Sequence, residues 1–128
     1  MPIHLTDCDI TKTECDAIVA PTDPYYSHGI GIDAQIHAAA GDKLFEECVS
    51  KGRLDLGRAV FTKAYGLPCR YVIHTAAPIW INGLYGERRI LESCYRSVLS
   101  LAKELGCKNI AIPLLSSDSH GYPKDRIM

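Results

Sequence analysis

The chain has 128 residues and a mass of 14.1 kDa, with 14 basic residues against 15 acidic ones for a formal net charge of −1. That length accommodates one layered core and not two, so residues 1–128 are read as a single domain. The charges are scattered, without the Lys/Arg block that neutralises a row of phosphates, and nucleic acid is set aside as a partner. The six cysteines form no C-x-x-C pair and no tight Cys/His spacing, so they read as reduced thiols, with no cofactor implied. The start Met1-Pro2-Ile3-His4 lacks the basic and apolar regions of a secretion signal, and no apolar run is long enough to span a bilayer. These features point to the cytoplasm and away from a membrane.

In chain order, the first strand signal is Ala17-Ile18-Val19-Ala20, short and apolar as a strand covered on both faces should be. Two short helical stretches follow, near Asp33 to Ala40 and Asp42 to Lys51. Ala59-Val60-Phe61-Thr62 and Tyr71-Val72-Ile73-His74 read as further strands. From Glu87 to Leu105 the apolar residues Ile90, Leu91, Cys94, Val98, Leu101, Ala102 and Leu105 recur at three and four, while Arg88, Arg89, Glu92, Arg96, Lys103 and Glu104 occupy the other face. This spacing predicts an amphipathic helix of about five turns, closed by Gly106 as a left-handed cap. Asn109 to Leu114 reads as the last strand. Strands alternating with helices give an α/β domain with a largely parallel sheet.

Two loops carry the chemistry-bearing residues. One runs from Pro21 to Asp33 and the other from Ser116 to Pro123, each after a strand. In an open α/β sheet, loops leaving the carboxyl ends of strands line the ligand crevice, so both can share one pocket. Within the first, Gly29-Ile30-Gly31-Ile32-Asp33-Ala34 fits a G-x-G-x-x-A dinucleotide fingerprint. Pro21 and Pro24 stand between that glycine turn and the preceding strand, whereas a Rossmann site needs the turn directly after the strand. His37 and His74 fall inside helix and strand patterns and read as packed, hydrogen-bonded residues. Trp80, Tyr85, Tyr95 and Tyr122 read as packing, whereas Tyr25 and Tyr26, in the first loop, are candidates to cover a ligand.

Ordered motifs along the chain resemble those of the macro domain family. Cys8-Asp9-Ile10-Thr11 is similar to GDIT, and Asp16-Ala17-Ile18-Val19 to DAIV. The stretch from Gly31 to Gly41 is similar to GVDGAIHRAAG, and Leu67 to Thr75 to LPAKYVIHT. Ile110-Ala111-Ile112-Pro113, followed by Ser116 and Gly121-Tyr122-Pro123, resembles IAFP…STGIYGYP. The resemblance implies a three-layer α/β/α fold with a mixed, mostly parallel sheet, and a cleft for ADP-ribose or an ADP-ribosylated protein or metabolite. It further implies that Asp9 accepts a hydrogen bond from the adenine amino group and that the backbone at Ile10 supports the base. A buried acceptor left unpaired by an analogue lacking that donor is a source of selectivity. Gly29, Gly31 and Ile32 would approach the diphosphate and distal ribose. Ser116, Ser117, Asp118, Ser119, His120, Gly121 and Tyr122 would wrap the diphosphate with backbone N–H groups. In family members that remove ADP-ribose or an acetyl ester, the residue matching Asp33 positions or activates water, a general-base role. The plain alternative for Asp33 is a cap on the following helix, and for Asp9 a turn residue.

The chain also departs from the family. Ala20-Pro21-Thr22-Asp23 replaces NAAN, so the second asparagine becomes Asp23, a candidate second catalytic acid. Ser27, His28 and Ile30 break the glycine run, and His120 replaces an aromatic residue. Asp118 replaces a glycine; a carboxylate about 4 Å from a phosphate charge repels it by roughly 4 kcal/mol at an effective dielectric near 20, close to three decades of affinity. An oxygen-rich metal site from Asp23, Asp33 and Asp118, joined by His28 or His120, competes with the plainer reading of solvated loop acids. Three readings follow: a binding module for ADP-ribose, a hydrolase of ADP-ribosyl or O-acetyl-ADP-ribose esters using Asp33, and an interaction scaffold that has lost the nucleotide. The family's usual helix and strand after GYP are missing, which implies a fragment or a face covered by a second copy.

Overall fold

The computed structural model describes residues 3–5, 10–27, 31–78 and 86–113. Its elements are β1 (Ile3–Leu5), β2 (Cys15–Thr22), α1 (Gly31–Ala40), α2 (Asp42–Lys51), β3 (Ala59–Lys63), β4 (Cys69–Ala76), α3 (Glu87–Glu104) and β5 (Ile110–Ile112). The strands form one sheet in the order β1-β5-β2-β4-β3. The β1–β5, β5–β2 and β2–β4 pairs are parallel and β4–β3 is antiparallel. The sheet is therefore mixed and mostly parallel. None of the described helices is long and apolar enough to cross a membrane.

Period-two alternation along the central strands divides the core into two layers. Ile18 and Ala20 of β2, Val72 and Ala76 of β4 and Ala111 of β5 pack with Ile36, Leu44 and Cys48 of α1 and α2. Their neighbours Ala17, Val19, Ile73, Ile110 and Ile112 pack on the opposite face with Leu91, Cys94, Val98 and Ala102 of α3. Helices thus cover both sides of the sheet. Each large side chain removed from water contributes roughly 1.5–3 kcal/mol.

The helix α3 ends as its sequence requires. Cys107 N–H donates to Ala102 O at 3.0 Å and Gly106 N–H to Lys103 O at 3.1 Å. With Gly106 at φ 73°, this is the paired bonding of a Schellman motif. α2 spans the residues its pattern predicts, whereas α1 begins two residues earlier than the periodicity suggests, at Gly31. β2 runs past Ala20 to include Pro21 and Thr22. Its described pairing with β5 involves only Ala17 and Ile18, so Pro21 lies beyond that ladder, where a residue without an N–H is tolerated. The short strand β1 was not legible in the residue pattern, and β5 closes at Ile112, before Leu114.

Candidate functional site

The parallel β2–β5 pairing places the ends of these adjacent strands on the same edge of the sheet. The first of the two loops singled out in the sequence follows β2 there, while the second, Ser116 to Pro123, lies outside the described residues. The register is fixed at the opposite edge by Asp16. Its Oδ2 accepts hydrogen bonds from the backbone N–H of Lys108 at 2.5 Å and of Asn109 at 3.3 Å, while Asp16 N–H donates to Asn109 Oδ1 at 2.8 Å. The Lys108 N–H, more than any other neighbour, holds the Asp16 carboxyl below its ordinary range.

After β2 the chain turns around Asp23. Its Oδ1 accepts from the N–H of Tyr25 at 2.8 Å and of Ser27 at 3.1 Å, and its carbonyl accepts from Tyr26 N–H at 3.1 Å. This is the turn chemistry of an aspartate that bonds backbone two residues on. Leu54 N–H donates to Pro24 O at 2.9 Å and ties the loop to the chain beyond α2. Tyr26 adopts a left-handed φ of 61°, unusual for a side chain of this size. Its ring is buried and meets His74 edge-on at 6.0 Å. Tyr26 is thus part of the core and not a ligand cover, while Tyr25 remains exposed.

Asp33 is the third residue of α1, inside the first turn. It is not the helix cap that the plain reading proposed: neither carboxylate oxygen makes a hydrogen bond among the described residues, although the side chain is buried. Its Oδ1 lies 3.4 Å from Nε2 of His37, one turn along. The hydroxyl of Thr22, at the carboxyl end of β2, is likewise buried without a hydrogen bond among the described residues. Buried polar atoms are nearly always satisfied, so these groups call for a partner beyond the described residues. Sequence reasoning had not selected Thr22 or a role for His37 toward Asp33; the i, i+4 spacing of Asp33 and His37 was the available signal.

Behind this pair sits a buried polar cluster. One ring nitrogen each of His37 and His74 and the sulfur of Cys48 lie within 4.8 Å of one another. Thr62 Oγ1 and His74 Nε2 share a hydrogen bond of 2.9 Å, and Cys48 Sγ is 3.6 Å from the same nitrogen. Burial, then the neighbouring His37 and Lys51, pushes His74 down to about 3, so the ring is neutral at physiological pH. Burial, reinforced by Asp33 and Glu47, pushes the Cys48 thiol up to about 12. A thiol and two imidazoles form a zinc-type donor set. In the present geometry His74 is neutral and shares its contacts with Thr62 and Cys48, with His37 beside them. This cluster differs from the proposed Asp23, Asp33 and Asp118 metal set, of which Asp118 lies outside the described residues.

Of the other selected residues, Ile10 is buried in a single 3-10 turn (Ile10–Lys12) and packs on the α1 side of the core. Ile32 packs against the same cluster, and Gly31 opens α1 at φ 73°, where a side chain would be strained. Asp9, His28, Gly29, Ile30 and the whole run Ser116, Ser117, Asp118, Ser119, His120, Gly121 and Tyr122 lie outside the described residues. So do Trp80 and Tyr85. A cavity of about 360 Å³ lies beside Arg58, Arg96 and Ser100, between β3 and α3, and Asp33 is not among its lining residues. A second of about 300 Å³ flanks the loop after β2, lined by Pro24, Tyr25, Tyr26, Val49, Gly52 and Arg53.

The family profile of the macro domain matches residues 19–128. A macro domain-containing protein of Chlorobaculum tepidum is 44% identical over 124 residues, covering 97% of this chain and 72% of that protein. An O-acetyl-ADP-ribose deacetylase of Citrobacter rodentium is 40% identical over 126 residues, covering 95% of this chain and 71% of the relative. Among solved structures, the Trypanosoma brucei macrodomain in complex with ADP-ribose superposes with a TM-score of 0.83 at 35% identity, covering 94% of this chain and 49% of that one.

Proposed function

Because the chain belongs to the macro domain family, we propose that it binds ADP-ribose, free or attached to a protein or metabolite, in the cleft between the segments that follow β2 and β5. The observation that carries this reading is the direct parallel pairing of β2 with β5, by which the carboxyl ends of both strands point to one side of the sheet, where ligand-binding loops of such sheets gather. The orphaned polar atoms of Thr22 and Asp33 belong to the strand end and first helical turn beside that edge and supply groups for a polar ligand. In this reading Asp9 recognises the adenine, Ile10 supports it, and Gly29, Gly31, Ile32 and the Ser116 to Tyr122 segment hold the diphosphate and distal ribose. The five described cysteines are free thiols, in keeping with action in the cytoplasm. Saturating ADP-ribose should raise the midpoint of thermal unfolding. Asp9→Ala should lose that shift while retaining the midpoint of the free protein; an equal shift in both proteins would remove Asp9 from the site.

A second reading, hydrolysis of ADP-ribosyl or O-acetyl-ADP-ribose esters, is favoured by the buried Asp33–His37 pair. A carboxylate without hydrogen bonds to the described protein is available to orient or deprotonate a water, and an adjacent imidazole holds it in place. Asp23 is a weaker candidate, because its Oδ1 is committed to the turn. Release of acetate from O-acetyl-ADP-ribose, followed with and without Asp33→Ala, tests this activity; an equal rate in both proteins would end it.

A further inference from the structure

The hydrolytic reading employs Asp33 and His37 but leaves the groups behind them without a role. His37 sits between two rings: Phe45 on α2 at 6.2 Å and His74 on β4 at 6.3 Å between centroids. The orientation of the His37 ring, and hence of the contact it makes with Asp33, is therefore set in part by His74. His74 is itself fixed from two further elements, by Thr62 of β3 at 2.9 Å and by Cys48 of α2 at 3.6 Å. Tyr26 packs edge-on against the same ring. A continuous set of buried contacts thus runs from β3 through β4 to α1 and ends on Asp33.

We propose that Thr62, His74 and Cys48 are positioning residues: by fixing the ring of His74 they fix the ring of His37, which presents the Asp33 carboxylate to substrate in one orientation. The inference rests on the hydrolytic reading of the same site. Three features of the cluster support it. Every member is at most 6% exposed, so water does not replace a lost contact. The Thr62 hydroxyl and the His74 ring satisfy each other in the interior, a pairing more directional than the apolar contacts around it. The charged and titratable groups around His74 and Cys48 are Asp33 and His37 from α1, Glu47 and Lys51 from α2, and the Tyr26 phenol from the loop. His74, kept neutral by burial, brings no positive charge toward the Asp33 carboxylate.

A purely packing role for Thr62 makes a different prediction, because Thr62→Val keeps the shape and removes only the hydroxyl. The test uses the full chain with isotope-labelled histidine, and compares wild type, Thr62→Val and Thr62→Ser. The expected result is that Thr62→Val moves the ring resonances of His37 as well as those of His74, and that Thr62→Ser returns both. In parallel, kcat for ester hydrolysis should fall about tenfold in Thr62→Val with KM unchanged, the signature of a misplaced catalytic group, and recover in Thr62→Ser. Cys48→Ala provides a second variant at a different element, with the same direction expected for His37. The proposal is overturned if the valine variant moves His74 alone, or if kcat is unchanged in a variant whose His37 resonances have moved. Should the wild-type protein not hydrolyse the ester, the hydrolytic reading falls by itself, and the His37 resonances still decide whether the rings are coupled.

Discussion

Asp33 and His37 stand one helical turn apart on α1 with Oδ1 of one 3.4 Å from Nε2 of the other, both buried, in the helix that follows the loop after β2. Burying a carboxylate without hydrogen bonds from the described residues costs stability that an apolar residue would not lose. Asp33→Asn keeps the shape and removes the charge. It should lower kcat for ester hydrolysis by about a hundredfold or more, the usual range for a general base, while the Kd for ADP-ribose changes little. Measuring both constants on one preparation checks this, and a variant that retains kcat would take the base role away from Asp33.

Stability should depend on pH through His74. In the unfolded chain this imidazole takes a proton near pH 6.5, whereas burial delays protonation in the folded protein until about 3. Between those values the unfolded state binds more protons, so stability rises with pH there, is fully present above about 6.5, and is lost as pH falls toward 3. The loss is on the order of 4 kcal/mol across the window. Asp16, whose carboxyl is held low by the Lys108 N–H, adds its own loss only below its ordinary value of 3.8. Urea unfolding at pH 7, 5.5 and 4.5 should show the midpoint falling already between the first two, and His74→Gln should flatten that part of the profile. An unchanged slope in the variant would contradict the assignment.

Gly66 is a point of close approach. A Cβ there would stand 2.8 Å from the carbonyl oxygen of Ala39 and 3.3 Å from that of Ala40, both backbone atoms that cannot rotate away. The Gly66 N–H donates to Ala40 O at 3.2 Å, tying the β3–β4 turn to the end of α1. Gly66→Ala should cost about 1–3 kcal/mol by forcing that junction apart. Chemical denaturation would show it as a lower midpoint with an unchanged slope.

The thiols should be inert in the folded protein. Burial pushes Cys48 up to about 12, and it raises Cys94 as well. Both side chains are buried, so at pH 8 they are neither ionised nor accessible. Alkylation followed by mass analysis should leave these two unmodified in native buffer and modify both in denaturant. Rapid native labelling of Cys48 would mean that α2 opens readily, and would weaken the account of the ring cluster.

Local periodicity made much of this fold legible. Leu91, Cys94, Val98 and Ala102 mark the buried stripe of α3, and Gly106 its end, because helix amphipathicity and cap geometry are encoded within a few residues. The same reasoning failed at Pro21, which reads as a strand breaker yet lies within β2, because its tolerance depends on how far the neighbouring strand extends. The antiparallel placement of β3 and the short β1 are set by long-range pairing that no local window contains. At the site, the resemblance selected Asp33, while His37 read only as packing, although its i, i+4 spacing from Asp33 was an available signal. The assembly of Tyr26, Cys48, Thr62 and His74 behind them was hidden, since these residues come from four separate segments. Asp23 was read as a catalytic acid from its place in the motif; its bonds to Tyr25 and Ser27 N–H show the turn-forming use that the same residue type has at strand ends.

The central claim is a nucleotide held between the segments after β2 and β5, and calorimetric titration of ADP-ribose into the wild-type protein and Asp118→Gly addresses it most directly. The account predicts saturable one-to-one binding by the wild type, and tighter binding by Asp118→Gly, by up to about three decades if the full charge of that acid faces the ligand. Absence of saturable heat from both proteins would contradict it.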